Sequence, residues 1–243
     1  AAFVSSNYAS MFSKLNDFEN INSKVKSIKK KTKGVKKKKN TTKKTLTEPF
    51  TVLILGVDSE SGSLSKSSSL NGDTIMLITF NPKTSNATIL SIPRDTYTQI
   101  TCNKNRLNKI NSAAYSGTDC MINTVKKLTG IDIDYWVKIN FAGAVSLVDA
   151  LGGVDIDVPY SFCEQDSKRR FGKYTIYIEK GRQTLNGEQA LAFARNRHTW
   201  PQYCGKKYSN YVSNDFIRGQ NQQQIVNSCL NKLKNINKFS QVY

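Results

Sequence analysis

Three apolar runs that stop at charged residues limit the fold of this chain more than any other feature. Residues 50–57 are followed by Asp58, the second run opens at Asn71-Gly72-Asp73-Thr74, and the third ends in Pro93, Arg94 and Asp95. Short β-branched runs of this kind read as buried strands. Charge inside a sheet must be paired or solvated, so charges collected at strand ends mark where a site is built. Two acids and an arginine gathered there suit a metal-assisted phosphate site.

Residues 51–56 form the first strand. Residues 74–80 and 87–92 form two more, and the Asn81-to-Asn86 turn between them predicts an antiparallel hairpin. Residues 59–70 are a serine-rich loop. Helical periodicity covers residues 109–127, closed by Gly130, then residues 141–151, ended by Gly152 and Gly153. Residues 135–139, 154–158 and 174–178 are extended. Asn186, with Gln189 three residues on, caps a helix through residues 190–194, and a last helix spans 215–234. A weaker helical stretch lies at residues 17–27. Strands alternating with helices around one hairpin predict an α/β fold, a mixed central β-sheet with helices on both faces. The 243 residues suffice for one such domain.

Charge divides the chain. The net charge is +18, and residues 1–48 hold thirteen lysines against Asp17, Glu19 and Glu48. That segment has no hydrophobic periodicity and reads as a solvated tether before a domain over residues 49–243. Such a tether serves either as a spacer or as an electrostatic arm for an anionic membrane or wall surface. Nucleic acid is the weaker partner, because zinc-finger spacing, RNP aromatics and a basic heptad helix are all missing. No run of eighteen apolar residues spans a bilayer, although the chain reads as the remainder of a longer one whose spanning helix ended before Ala1.

Five cysteines lack any C-x-x-C pair, and one histidine cannot complete a zinc finger. Cys102, Cys163 and Cys204 lie in polar, loop-like surroundings suited to disulfides of an oxidising compartment. The expected pairs are Cys102 with Cys120 and Cys163 with Cys204, the first contributing about 3 kcal/mol on the chain-entropy model. Cys229 reads as a buried helical thiol.

Asp58 and Asp73 are hard oxygen ligands that suit Mg2+; alternatively, they cap a turn and a strand edge. Arg94, Arg195, Arg197 and Arg218 offer planar forks for pyrophosphate oxygens, with surface ion pairs as the plainer reading. Asp95 and Asp215 can each orient an arginine, and Asp95 or Asp58 can instead take a proton from an attacking hydroxyl. Arg169 and Arg170 read as surface ion-pair residues. His198, beside two arginines, is not assigned as a base. Glycine-rich phosphate loops and G-x-S-x-G are absent, so phosphate recognition rests on arginines and metal.

Seven ordered stretches resemble the LytR-CpsA-Psr family of bacterial envelope proteins. They are LILGVD (53–58), GDTIMLITFNPKT (72–84), LSIPRDTY (90–97), KINSAAYSG (109–117), YWVKINFAGAVSLVDALGGVDIDVP (135–159), LNGEQALAFARNR (185–197) and DFIRGQNQQQ (215–224). The resemblance implies an extracytoplasmic catalytic domain, membrane-anchored through an N-terminal helix. Such an enzyme transfers a glycopolymer (teichoic acid, capsule or another wall polysaccharide) from a polyprenyl-pyrophosphate carrier to peptidoglycan, with pyrophosphate hydrolysis as a side activity. It also implies Asp58 and Asp73 as ligands of Mg2+ (or Mn2+), Arg94, Arg195, Arg197 and Arg218 as pyrophosphate binders, and residues 135–151 lining a lipid-tail pocket. Two departures stand out: the family usually has arginine where this chain has Asn71, and often where it has Asn221. Lys66, Arg106 or Lys109 could compensate. The alternative function is a non-catalytic polyprenyl-phosphate-binding or regulatory protein.

Overall fold

The computed structural model describes residues 18–20, 48–57, 72–208 and 214–239; the side chains of residues 18–20, 72, 73, 215 and 234–239 lie outside that description. The serine-rich loop, the lysine tether and most of the helix expected at 17–27 also lie outside it. The fold is α/β, built on a mixed central sheet with helices. Two compact units divide the chain: one over residues 17–56 and 71–138, the other over 1–16, 57–70 and 139–243.

The first unit holds the five-stranded sheet, ordered β1-β7-β2-β3-β4. Its strands are β1 (Phe18–Asn20), β2 (Phe50–Val57), β3 (Gly72–Asn81), β4 (Asn86–Ile92) and β7 (Tyr135–Ile139). The expected hairpin is present: β3 and β4 pair antiparallel from Ile75 opposite Ile92 to Asn81 opposite Asn86. β2 alternates strictly, burying Thr51, Leu53, Leu55 and Val57, whereas β3 buries Ile75 to Ile78 on both faces. Phe18–Asn20 corrects the helix expected there: it pairs antiparallel with β7 as an edge strand. Helicity in so short a stretch is marginal, and an open strand edge offers a row of unpaired backbone N–H and C=O groups to pair with.

Helix α1 (Thr118–Thr129) lays Cys120, Met121 and Val125 on the core formed by Leu53, Leu55, Ile75, Leu77 and Trp136. The single helix expected over 109–127 is therefore corrected. Lys109 ends β6 (Arg106–Lys109), residues Ile110–Ser116 form a 3-10 helix, and Gly117, at φ 99°, separates it from α1. Buried Ile110 and Ala113 are three apart, a spacing that both helix types satisfy. β6 pairs with β5 (Tyr97–Ile100) in a hairpin not anticipated from sequence. Lys104 and Asn105 take left-handed φ in its turn.

The second unit contains α2 (Phe141–Ala150), β8 (Val154–Val158), β9 (Phe162–Glu164), β10 (Ile176–Ile178), β11 (Gly181–Leu185), α3 (Gly187–Arg195), α4 (Pro201–Cys204) and α5 (Asp215–Phe239). β8 pairs with β11 and β9 with β10, all antiparallel. Val148, Val154, Ile156, Phe162, Leu185 and Phe193 form its core. The capping box of Asn186 and Gln189 starts α3 as expected. Gly187 is required by proximity, since a Cβ there would overlap the Val145 carbonyl oxygen of α2. Its N–H donates to Asp149 Oδ1 at 2.7 Å, tying the start of α3 to α2.

Both expected disulfides form, Cys102–Cys120 and Cys163–Cys204, with Cα atoms 5.6 and 6.3 Å apart. Cys163 is not a loop residue but sits buried in β9, so its bridge fastens α4 to a strand.

Candidate functional site

In the first unit, Pro93 stops β4 and a turn closes through Thr96 N–H to Pro93 O at 3.0 Å. Arg94 and Asp95 occupy the centre of that turn, and Asn111 N–H donates to Arg94 O at 3.2 Å. Asp95 Oδ1 meets Lys109 Nζ at 3.0 Å, while Arg94 Nε lies 3.8 Å from Oδ2, beyond hydrogen-bond range. Lys109 is thus the nearer cation to Asp95. Gly56 and Thr74 face one another across β2 and β3, where a Cβ on Gly56 would come 2.7 Å from Thr74 Cβ. Asp73 is the second residue of β3. Asp58, Lys66 and Asn71, like the side chains of Asp73 and Asp215, lie outside the described residues. Among the described residues, no group of three or more His, Cys, Asp or Glu could hold a metal ion.

In the second unit, α3 ends at Arg195 and the chain turns extended at Asn196, with φ −55° and ψ 121°. Side chains alternate along extended backbone, so Arg195 and Arg197 flank an inward residue. Asn196 is 1% exposed. Its amide donates to Glu164 Oε2 and to His198 O, each at 3.4 Å. Arg195 Nη1 donates to Asp166 O at 3.1 Å, and its guanidinium sits 4.7 Å from the Phe141 ring centroid. Arg197 Nε donates to His198 Nε2 at 3.2 Å, which makes His198 a partner of the arginine.

Arg218 lies half-buried in the first turns of α5, where Asn214 accepts the Ile217 N–H through Oδ1 and the Arg218 N–H through its carbonyl. Asn221 is buried, and its amide donates to Phe193 O at 3.3 Å; Gln222 Nε2 donates to Ala194 O at the same distance. The last carbonyls of a helix have no partner within it. α5 therefore caps α3 immediately before Arg195.

Sequence reasoning passed over Glu164, Asp166 and Asn196, all buried. The signal was a pair of acids, Glu164 and Asp166, directly after the apolar Phe162 and Cys163. Asp166 organises a loop: Oδ1 accepts the N–H groups of Lys168 and Arg170, and Oδ2 accepts Nε and Nη2 of Arg170. Burial pushes its pKa up, but these bonds prevail and hold it below the ordinary 3.8. The Arg170 guanidinium then stacks on Tyr174, 3.5 Å from the ring centroid.

Residues 16–243 match the LytR_cpsA_psr family. The chain is 35% identical over 195 residues to the polyisoprenyl-teichoic acid–peptidoglycan teichoic acid transferase TagU of Bacillus subtilis (strain 168), covering 79% of this chain and 55% of TagU. It thus spans about half the length of the curated relatives it matches. The crystal structure of B. subtilis TagV aligns with a TM-score of 0.63 and 32% identity, over 82% of this chain and 71% of that one. The family protein YwtF (TagT), solved with bound octaprenyl pyrophosphate lipid, aligns with a TM-score of 0.55 and 29% identity, over 77% of this chain and 65% of that one. The chain belongs to the LytR_cpsA_psr family.

Proposed function

We propose that this protein is an extracytoplasmic phosphotransferase that joins a polyprenyl-pyrophosphate-linked glycopolymer to peptidoglycan. The observation that carries the reading is the Arg195-Asn196-Arg197 segment, two guanidinium groups flanking a buried amide, in a family whose solved relative YwtF holds octaprenyl pyrophosphate. A peptidoglycan hydroxyl attacks the phosphorus that bears the glycan. The new P–O bond forms as the bridging P–O bond breaks, and polyprenyl phosphate leaves. Arg94, Arg195, Arg197 and Arg218 neutralise the charge that builds on the departing phosphate, the main task in phosphoryl transfer. Asp95 or Asp58 takes the hydroxyl proton. Asp58 and Asp73, a pair of hard carboxylates, are the residues that would hold Mg2+ (or Mn2+), which when bound withdraws charge from phosphate oxygens. The lysine-rich N-terminal segment serves an anionic membrane or wall surface.

No helix among the described residues is long and apolar enough to cross a membrane. The test is incubation with a polyprenyl-pyrophosphate-linked glycan, peptidoglycan and Mg2+. Release of polyprenyl phosphate with labelled glycan on the wall is the expected result, and Arg94→Ala lowers the rate by about a hundredfold or more. Binding without release would identify a non-catalytic lipid-phosphate binder, and equal rates for Arg94→Ala and the parent would refute the role of Arg94.

A further inference from the structure

We propose that Arg169 is a further phosphate-binding residue of this site, acting beside Arg195 on the diphosphate of the lipid-linked substrate; the inference rests on the function proposed above. Three basic residues follow one another at 168–170, and the structure separates them. Arg170 is consumed locally by its two-point contact with Asp166 and its stacking on Tyr174. Arg169 is held elsewhere. Its guanidinium lies 6.0 Å from the centroid of the Phe141 ring, the ring against which Arg195 stands at 4.7 Å.

One backbone atom ties the two together. Asp166 O accepts the Arg169 N–H at 2.9 Å and Arg195 Nη1 at 3.1 Å. The loop that carries Arg169 is fixed by a buried carboxylate, and the residue itself adopts φ 58°, left-handed backbone that side chains other than glycine rarely take. Phe141 is equally fixed, since it opens α2 behind the buried cap Asn140, which accepts the Gly143 N–H at 2.8 Å. The arrangement is thus a rigid ring with two guanidinium groups near it, one bonded to the loop carbonyl that also accepts the other residue's backbone N–H. Like charges so placed repel, and the arrangement gains most when a dianion bridges them. Arg169 is exposed and Arg195 half-buried, so a ligand reaches both. Two planar forks suit the many acceptor oxygens of a diphosphate.

The test is calorimetric titration of the full chain with farnesyl pyrophosphate. The parent is compared with Arg169→Gly, Arg169→Lys, Arg195→Ala and the neighbouring control Lys168→Ala. Arg169→Gly removes the guanidinium yet suits the left-handed backbone, so the loop is kept, as near-ultraviolet circular dichroism would verify. The expected result is affinity about tenfold weaker for Arg169→Gly and for Arg195→Ala, partial recovery in Arg169→Lys, and less than about twofold change for Lys168→Ala. Parental affinity in Arg169→Gly alongside a weakened Arg195→Ala would overturn the inference and leave the proposed function standing. Equal weakening in Arg169→Gly and Lys168→Ala would overturn it too, because bulk charge would then explain the loss. If the parent bound no farnesyl pyrophosphate, the proposed function would fail and this inference with it.

Discussion

Asn221 of α5 donates its amide to the carbonyl oxygen of Phe193 in α3, 3.3 Å away, where the family resemblance leads one to expect an arginine. With Gln222 on Ala194, it completes the C-terminal end of the helix that presents Arg195. Asn221 is 2% exposed, so truncation strands a buried carbonyl. Asn221→Ala should cost about 1–3 kcal/mol, read from urea unfolding, with no change in the slope of the transition. An unchanged midpoint would show that the amide contributes no cap.

Local chemistry explains which parts of this fold were legible. The β3–β4 hairpin, the Asn186 capping box and the glycines after α2 each announce themselves within a few residues, because turns and caps demand particular side chains. Strand β1 and the β5–β6 hairpin did not. Phe18–Asn20 is a strand only because β7 offers it an edge, and no local pattern encodes a partner more than a hundred residues away. The arginines proposed for the site stand out in the sequence as charges in apolar motifs. Asp166 and Asn196, which hold the loop beside Arg195 and the backbone after it, were not, because their role depends on burial that only the tertiary structure creates.

The two disulfides should differ in weight. The bridge Cys163–Cys204 closes 41 residues and Cys102–Cys120 closes 18. The chain-entropy model assigns about 4 and about 3 kcal/mol respectively. Replacing Cys163 and Cys204 together by alanine should also free α4 from β9 and loosen Phe171, which stacks on Tyr203 at 4.1 Å. Denaturant midpoints with and without reductant give the first quantity. Loss of near-ultraviolet aromatic signal in the double variant gives the second.

Acid should weaken the second unit. Hydrogen bonds from Lys207, Tyr208 and Ser161 hold the Glu179 carboxyl at about 2, against an ordinary 4.5. Asp166 is likewise held below 3.8. A carboxyl with a depressed folded pKa lends stability that is present above its unfolded pKa and lost as pH falls through the folded value. Melting temperature should therefore decline as pH drops from about 4.5 towards 2. Asp166→Asn and Glu179→Gln should each melt lower at neutral pH and decline less steeply in acid. Profiles parallel to the parent would deny these pairs any part in acid lability.

Burial against the core of the second unit pushes the Cys229 thiol up to about 11 from 9.0. The thiolate is the reactive form, so Cys229 should be almost inert at pH 8. Iodoacetamide should label it in denaturant and leave it unlabelled, by mass spectrometry, in the folded protein. Rapid labelling of the folded protein would place the thiol in solvent.

Asn196 offers the sharpest test of how Arg195, the last residue of α3, and Arg197 beyond it are held. Its amide faces Glu164 Oε2 at 3.4 Å in a setting almost closed to water. Asn196→Ala removes the donor, whereas Asn196→Asp puts a second carboxyl against the first. Two buried carboxylates at that distance resist ionising together, so the introduced group has a raised folded pKa. For an acid the sign is then reversed: its stability is greatest at low pH, where it is protonated, and falls as pH rises through its unfolded pKa of about 3.9 towards the raised value. Asn196→Asp should thus melt close to Asn196→Ala near pH 4 and progressively below it towards pH 7. Because the same backbone carries Arg195 and Arg197, the proposed glycan transfer should recover partly on acidification in Asn196→Asp, relative to the parent at each pH. A constant gap between the two variants from pH 4 to 7 would mean that Glu164 and residue 196 are electrostatically independent, and that the segment is held by its backbone alone.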